Sequence, residues 1–302
     1  MQLTNKEVRI ENTSLCNADC TICPRDKMTR KKCTMPNGHF DYLVDQAKDL
    51  GAESISIFGY GEPLLDKGIE HKIAYCASKG LETFITTNGA LLGVEMSTKL
   101  LSAGLSKIRW SVHGLYKTYD KVHRKLRFED TLRNIQNFIS KNNTRFSHSC
   151  TTAISVIPMH GESLKYIKGF WEKAVDELEI WKPHGWDGAA KYRQETIKRK
   201  QTCGRHKNGP VQIQADGKVI PCCFLTNAEI VLGDTYKNTI EEILHSDKYE
   251  KFRQCHRNGS LSGLPCESCD QLYVLAKSPL LYSNVDETCS IGKTSSTKFS
   301  LE

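Results

Sequence analysis

Three cysteines lie close together near the start of the chain, in the stretch SLCNADCTICPR at residues 14–25. Cys16, Cys20 and Cys23 follow the spacing C-x3-C-x2-C. Cysteine thiolates hold iron–sulfur clusters, and three thiolates around a four-iron cluster leave one iron able to bind an external molecule. A tetrahedral zinc ion needs a fourth ligand, so a zinc site completed by another residue is the alternative.

A second group of cysteines lies in the last third of the chain. Cys203 and Cys222 are separated by the pattern C-x13-G-x4-C, and the stretch PCESC supplies Cys266 and Cys269. Four thiolates can close an iron–sulfur cluster completely or hold one zinc ion in a structural ribbon, and the sequence leaves both open. It also leaves open the roles of Cys223, Cys255 and Cys289. Cys223 could replace its neighbour Cys222 as a ligand.

The elements that must position these cysteines alternate along the chain from residue 7 to about 185. Six apolar, β-branched runs each contain a strand: EVRIENTSL, SISIFGYG, ETFITTNG, KIRWSVHG, SCTTAISVIP and ELEIWKPHG. Helical patterns occupy about 40–50, 66–79, 95–103, 128–141 and 162–176. This alternation predicts an α/β fold with a parallel sheet, curled into a partial (β/α)6 TIM-like barrel. The unusual loops follow strands, where parallel barrels assemble their active sites.

The composition changes after residue 185, where we place the end of the barrel, residues 1–185. The stretch KPHGWDGAAKYRQETIKRK is polar and basic, which is typical of a linker. Beyond it, PVQIQADGKVIPCC predicts two strands joined at Asp216-Gly217, and NTIEEILHSDKYEKFRQ has the apolar spacing of one helix. We therefore expect a linker and a small module of hairpin plus helix over residues 186–277, and a loose, polar C-terminal tail over 278–302.

The first cysteine group resembles the signature of the radical S-adenosylmethionine (SAM) superfamily. In that family C-x3-C-x2-C follows the first barrel strand, and Cys16, Cys20 and Cys23 match it residue for residue. The resemblance implies a [4Fe–4S] cluster whose open iron binds SAM, and reductive cleavage of SAM to a 5′-deoxyadenosyl radical. The residue before the last cysteine is often aromatic in the family, whereas here Ile22 keeps only the apolar character.

Three loops at strand ends strengthen the resemblance. GYGEP is similar to the family's Gly-Gly-Glu-Pro motif, with a tyrosine in place of one glycine; TTNG resembles its Thr-Asn-Gly turn; and WSVHG contains a serine at a position that commonly contacts the ribose or carboxylate of SAM. In the motif, glycines allow close approach of the chain and the carboxylate receives the SAM ammonium. The resemblance thus implies a SAM site formed by Tyr60, Gly61, Glu62, Asn88 and Ser111.

The second cysteine group resembles the SPASM/twitch extension of radical SAM enzymes. That extension holds an auxiliary cluster by one cysteine before a β-hairpin, one after it and others downstream, a pattern matched by Cys203, Cys222, Cys266 and Cys269. A full SPASM domain continues with another cysteine after a five-residue gap, but the residue there is Leu275. The resemblance is therefore to the shorter twitch type, with one auxiliary [4Fe–4S] cluster closed by four thiolates and suited to electron transfer.

Composition and charge narrow the class of protein. The chain has 302 residues, 39% of them hydrophobic, which suffices for a large core and an appended module. Its longest apolar runs are far shorter than the roughly 20 residues of a membrane helix, and its first residues do not form a secretory signal. We therefore expect a cytoplasmic protein without a membrane span, in which 13 cysteines serve metal or cluster binding rather than disulfides.

Together these features predict a radical SAM enzyme of the oxidoreductase type. We expect it to remove a hydrogen atom from a small molecule, with the auxiliary cluster taking up an electron, as in a dehydrogenation, and an external donor such as flavodoxin or ferredoxin supplying the first electron. Cys16 follows a single strand, so we expect no room before it for a domain that binds a leader peptide. This expectation favours a small molecule as the substrate.

The alternatives are modification of a nucleotide or nucleic-acid base, modification of a ribosomal peptide, and a non-enzymatic zinc-binding protein. The net charge of +7, with basic runs at residues 30–32 and 198–200, is consistent with a solvated surface or with an anionic substrate. At the end of the sixth strand, Lys182 and His184 are candidates for catalytic side chains, the histidine as a proton acceptor. The alternative for both is that they complete a loop.

Overall fold

The computed structural model describes residues 2–159, 161–183, 196–275 and 280–285. Within them the strands are β1 Glu7–Ile10, β2 Asp19–Cys20, β3 Ser54–Ile57, β4 Glu82–Thr87, β5 Lys107–Ser111, β6 His123–Arg124, β7 Thr151–Val156, β8 Glu177–Trp181, β9 Thr196–Arg199, β10 Val211–Ile213, β11 Lys218–Ile220, β12 Gly233–Asp234, β13 Tyr273–Leu275 and β14 Leu280–Ser283. The helices are α1 Asn37–Asp49, α2 Ile69–Ser78, α3 Val94–Ser102, α4 Tyr116–Val122, α5 Phe128–Arg145, α6 Leu164–Trp171, α7 Arg205–Asn208, α8 Ile240–His245 and α9 Asp247–Asn258.

Ten of the strands form one sheet, in the order β12-β11-β10-β1-β3-β4-β5-β7-β8-β14. The seven strands from β10 to β8 in this order run parallel, with Val8 opposite both Ile55 and Val211. The pairs β10-β11, β11-β12 and β8-β14 are antiparallel. The predicted α/β class with a largely parallel, TIM-like sheet is therefore confirmed.

The two faces of the parallel strands differ in chemistry. Residues on the face toward the helices are apolar and fully buried, as at Val8, Ile10, Ile55, Ile57, Ile85 and Ile108. The opposite face carries charges at alternate positions of β1, β5 and β8: Glu7, Arg9, Lys107, Arg109, Glu177 and Glu179. The predicted apolar character of these strands is therefore correct for the side that faces the helices and wrong for the inner face.

The inner charges are buried as ion pairs. Arg9 Nε lies 2.8 Å from Glu7 Oε1, and Lys107 Nζ lies 2.6 Å from Glu177 Oε2. A guanidinium nitrogen of Arg109 lies 3.4 Å from Glu179 Oε2. A buried charge is tolerated only when it is paired, so the pairs explain how a charged face can line the inside of the barrel.

The five helices predicted in the barrel are present, with ends shifted by a few residues. The short helix α4 and the ribbon of β2 and β6 were not predicted. The single helix predicted after the hairpin is instead two helices, because Ser246 is extended at ψ 148° and its side chain accepts the Tyr249 N–H to begin α9. None of the described helices is long and apolar enough to cross a membrane.

The second module is joined to the barrel sheet. The predicted hairpin is present as β10 and β11, and Gly217 in its turn has φ +81°, a conformation that glycine adopts without strain. Residues 280–283, which the sequence assigned to a loose tail, form β14 against β8, so that expectation is wrong for this part. The boundary placed at residue 185 falls among residues 184–195, outside the described residues, and stays a proposal.

Candidate active site

The three cysteines of the first group line a cavity of about 430 Å³ at the carboxyl ends of the barrel strands. Within the loop, the Cys23 N–H donates to the Cys20 carbonyl over 3.1 Å, and a short 3-10 helix begins at Pro24. Burial raises the pKa of the Cys20 thiol to about 12 and that of Cys23 to about 11. These thiols therefore hold their protons until a metal replaces them.

Two glycines of GYGEP are required by close packing. A Cβ at Gly61 would lie 2.0 Å from the Thr13 carbonyl oxygen and 2.7 Å from that of Leu15. A Cβ at Gly59 would lie 2.4 Å from Cγ of Glu11. The GYGEP loop thus packs directly on the segment that leads into the first cysteine, and no side chain fits at either position.

Glu62 is buried and its carboxylate is bonded to two neighbouring loops. Oε1 accepts the Leu64 N–H at 3.1 Å and the Thr87 hydroxyl at 2.6 Å, and Oε2 accepts the Asn88 N–H at 2.8 Å. Burial raises the pKa of Glu62, and these three bonds oppose that effect. Glu62 therefore joins the loop after β3 to the TTNG turn, and its predicted contact with the SAM ammonium stays a prediction.

The other residues predicted for SAM line the same cavity. Asn88 Nδ2 donates to Oδ1 of Asn17, inside the cysteine loop, over 2.9 Å. The Tyr60 hydroxyl donates to the Cys223 carbonyl over 2.6 Å, which connects the GYGEP loop to the second module. Ser111 is the last residue of β5. The structure thus brings all five residues to the cavity that the three cysteines line, while their roles stay predictions.

Two residues outside the predicted SAM site hold these loops together. Arg25 Nη1 donates to the carbonyls of Ser14 and Tyr60, at 2.7 and 2.5 Å. Glu11 is 4% exposed and accepts the Tyr60 N–H at 2.8 Å and the Ala215 N–H at 3.0 Å. The only sequence signal was a carboxylate directly after an apolar strand and an arginine two positions after the last cysteine.

His123, directly after α4, was also missed. The β2–β6 ribbon places Cys20 opposite His123, and Cys20 Sγ lies 3.3 Å from His123 Nδ1. Burial lowers the pKa of His123 well below its usual range, so the ring is neutral. A ribbon of two residues per strand is too short to produce a periodic pattern, so no sequence signal could have paired these residues.

The four cysteines of the second group line a smaller cavity of about 30 Å³: Cys203, Cys222, Cys266 and Cys269. The Cys269 N–H donates to the Cys266 carbonyl over 3.3 Å, so both C-x2-C motifs form the same turn. Cys223 lines the main cavity instead, with Sγ 3.8 Å from Arg205 Nη1. His256 lines the smaller cavity, and its buried Nε2 has no hydrogen-bond partner among the described residues.

The donor sets fit iron–sulfur clusters. One group offers three thiols to a large, open cavity, which leaves space for a molecule on a fourth iron, and the other offers four thiols around a much smaller one. In the described part of the chain, no three His, Cys, Asp or Glu side chains converge on one metal-ion position, as the ligands of a single zinc ion do. Arg205 and Gln271 line both cavities, so the two sites are neighbours.

The remaining candidates lie as follows. Lys182 lines the main cavity next to Trp181, at the end of β8. His184 and Cys289 lie outside the described residues. Cys255 belongs to α9 and lines neither cavity. The catalytic roles suggested for Lys182 and His184 stay predictions.

Comparison with family models identifies two domains. Residues 10–172, more than half of the chain, match the model of the radical SAM superfamily. Residues 203–270 match SPASM, described as an iron–sulfur cluster-binding domain. The two matches contain the first and the second cysteine group respectively.

Similar proteins of known sequence carry several names. A probable GTP 3′,8-cyclase of Aeropyrum pernix is 30% identical over 140 residues, which is 43% of this chain and 39% of that protein. The Fe-coproporphyrin III synthase of Methanosarcina barkeri is 33% identical over 129 residues, 41% of this chain and 32% of that protein. The GTP 3′,8-cyclase of Chlorobaculum tepidum is 23% identical over 297 residues, 91% of this chain and 77% of that protein. The chain spans well under half of the first two relatives.

Several solved structures share the fold of this chain. The structure of BtrN in complex with AdoMet and 2-DOIA has a TM-score of 0.62 at 20% identity. The match covers 94% of this chain and 100% of that chain. Streptococcus suis SuiB bound to the precursor peptide SuiA has a TM-score of 0.66 at 16% identity, covering 82% of this chain and 66% of that chain. At these identities the likeness establishes a shared fold.

Proposed function

The chain belongs to the radical SAM superfamily and carries a C-terminal SPASM domain, and from this premise we propose that it removes a hydrogen atom from a polar small molecule bound in the main cavity. The two domains imply a SAM-binding [4Fe–4S] cluster, SAM and an auxiliary iron–sulfur cluster as cofactors. When bound, these groups supply a 5′-deoxyadenosyl radical and an acceptor for one electron. The residues of the chain position SAM and the substrate.

The extent of the main cavity supports the proposal most directly. It is lined both by the three cysteines of the first group and by Cys223, Phe224 and Gln271 of the second module. A molecule bound there would contact the SAM site and lie beside the four cysteines of the smaller cavity. This arrangement suits an oxidation, in which a hydrogen atom and then an electron leave the same substrate.

We assign binding of SAM to the loops at the strand ends. Gly61, Asn88 and Ser111 line the cavity, and the last two carry a carboxamide and a hydroxyl. Glu62 already accepts three hydrogen bonds from the chain. A carboxylate has about four acceptor positions, so Glu62 can orient the loop and still accept one bond from the SAM ammonium.

The polar lining of the main cavity favours a substrate rich in polar groups. Arg9, Arg109 and Glu179 line it from the barrel strands, and Gln212 and Gln214 line it from the β10 side. Gln212 Nε2 and Gln214 Oε1 are buried and have no hydrogen-bond partner among the described residues. Buried polar atoms are normally bonded, so one donor and one acceptor are available here. A sugar, an aminocyclitol or a nucleotide would satisfy them.

Anaerobic purification and reconstitution test the proposal. We expect brown protein with about eight irons per chain, as two four-iron clusters require, and formation of 5′-deoxyadenosine when SAM and a reductant are added. Cys16→Ala should abolish this product, whereas Cys269→Ala should retain some cleavage that is uncoupled from substrate. Colourless, zinc-loaded protein, or normal cleavage by both variants, would refute the proposal.

A nucleotide or nucleic-acid base is the second candidate substrate, because cations outnumber anions in the cavity. The cations are Arg9, Arg25, Arg109, Lys182 and Arg205, and the anions are Glu11, Glu62 and Glu179. Contacts with nucleic-acid phosphates release counterions, so activity on such a substrate should fall steeply with salt. A flat salt response, together with no turnover of nucleoside triphosphates, would leave a polar small molecule other than a nucleotide as the candidate substrate. A ribosomal peptide is tested by adding candidate precursor peptides.

The proposal includes an external one-electron donor, such as flavodoxin or ferredoxin, and a cytoplasmic location, where reducing conditions keep thiols available to clusters. Replacing the chemical reductant by a purified donor protein checks the first point. Fractionation of cells that express the tagged protein checks the second.

A further inference from the structure

We propose that His123 donates a hydrogen bond to the Cys20 thiolate and thereby raises the reduction potential of the first cluster. Nδ1 of His123 lies 3.3 Å from Cys20 Sγ, and the histidine is 1% exposed. The inference rests on the proposed function, because it requires a cluster held by Cys20. His123, which lies outside the family's cysteine motif, would then help to set the reduction potential of that cluster.

The backbone of His113 fixes the tautomer of His123. The His113 N–H donates to His123 Nε2 over 2.9 Å, and a ring nitrogen that accepts a hydrogen bond carries no proton. A ring whose Nε2 accepts this bond carries its proton on Nδ1, which faces Cys20 Sγ. The contact is N–H···S, and it persists in the ligated state because a thiolate is only an acceptor.

The backbone also holds the two side chains together. The two-stranded ribbon pairs Asp19–Cys20 with His123–Arg124, and the Thr21 N–H donates to the Val122 carbonyl over 2.9 Å. The cysteine loop and the histidine therefore belong to one hydrogen-bonded unit. A shift of the loop would carry His123 with it, so the N–H···S contact does not depend on a mobile side chain.

The ring of His123 stacks on two other rings. It stacks on Tyr119 with centroids 4.3 Å apart and on His113 with centroids 5.0 Å apart. His113 Nδ1 in turn accepts the Ile157 N–H at 3.1 Å. Hydrogen bonds thus run from the residue after β7 through His113 and His123 to Cys20. Rotating the His123 ring would break both its bonds and its stacking.

A donor to a ligating sulfur favours the reduced cluster, because the extra electron makes the sulfur a stronger acceptor. Loss of a partner of a metal ligand typically costs about 10- to 100-fold in metal affinity or activity, and we take the lower end of this range for the effect on reduction. We expect loss of the donor to lower the equilibrium constant for reduction about tenfold, which corresponds to about 59 mV for a one-electron couple.

The test is a redox titration of the full-length, reconstituted protein, followed by electron paramagnetic resonance. The signal that changes when SAM is added identifies the first cluster. His123→Phe keeps the ring and removes the donor, and should lower the potential by the stated amount. His123→Asn places an N–H near the position of Nδ1 and should recover most of the loss. The control Tyr119→Phe keeps the ring stack and should leave the potential unchanged.

A second readout needs no variant. In protein labelled with ¹⁵N-histidine, the SAM-responsive signal should show coupling to one histidine nitrogen and to one proton that exchanges in deuterated water. Equal potentials in the wild type and His123→Phe, or absence of the histidine coupling, would overturn the inference while the proposed function stands. A wild-type protein without a SAM-responsive cluster would overturn both.

Discussion

Replacing Gly61 by alanine tests the close packing that places the GYGEP loop. The new Cβ would lie 2.0 Å from the Thr13 carbonyl oxygen, so one of the two backbone segments must move by about 1 Å to restore even a tight contact. The bond from the Glu62 N–H to the Leu15 carbonyl, 2.7 Å long, joins the same segments. Overpacking costs about 1–3 kcal/mol, and a lost backbone hydrogen bond adds about 1 kcal/mol. We therefore expect the free energy of unfolding to fall by about 2–4 kcal/mol.

Urea unfolding of the cluster-free protein measures this loss, and iron analysis after reconstitution measures its effect on the first cysteine group. We expect less iron at the first site, because Leu15 directly precedes Cys16. Gly169→Ala is the matched control: Gly169 lies inside α6, and a Cβ there meets nothing within 4 Å. It should gain about 0.5–1 kcal/mol from helix propensity. Wild-type stability and iron content in Gly61→Ala would refute the packing argument.

The auxiliary site, the hydrogen bond between Tyr60 and Cys223, and a buried ion pair each lead to a further prediction. Cys222→Ala should lose the auxiliary iron and Cys223→Ala should keep it, since only Cys222 lines the smaller cavity; equal iron contents would contradict this. Tyr60→Phe removes the bond to the Cys223 carbonyl and should lower the urea-measured unfolding free energy by about 1 kcal/mol; no change would mean that the bond is absent in solution. Lys107→Met leaves the Glu177 carboxylate buried without this cation and should cost about 3–5 kcal/mol in the same assay, whereas adding Glu177→Leu should restore most of the loss. A double variant no more stable than the single one would be the contrary result.

The barrel was predictable because the same pattern of apolar residues recurs in each of its strand and helix units. Each strand has an apolar outer face, and each of the five predicted helices has a periodic apolar face, so many residues contribute to one pattern. α4, β2 and β6 have seven, two and two residues, which is too few for a period to show. The break between α8 and α9 was hidden because the apolar spacing continues across Ser246, and only its capping contact reveals it.

The site was predictable as a set of loops but not as a set of contacts. The barrel motifs selected residues that all line the main cavity, since motif and strand end coincide in the sequence. They did not predict that Glu62 holds the TTNG turn or that Cys20 meets His123. These partners are 26 and 103 positions apart, and nothing in a single sequence pairs them. The charged inner face could have been predicted from the alternation of charged and apolar residues in EVRIE and ELEIW. It was missed because the apolar residues of these strands were taken to represent the whole strand.

The relation between the two cysteine groups follows from the sheet. β10 pairs in parallel with β1, with Val211 opposite Val8 and Ile213 opposite Ile10, so the hairpin that leads to Cys222 extends the barrel sheet. Glu11, the residue after β1, accepts one N–H from the GYGEP loop and one from the hairpin. Both cysteine groups therefore take their positions from the same strand and the same buried carboxylate. The separation of the two groups is thus set by strand geometry, and a substrate of the proposed oxidation would need both sites at a fixed distance to give up a hydrogen atom to one and an electron to the other without moving.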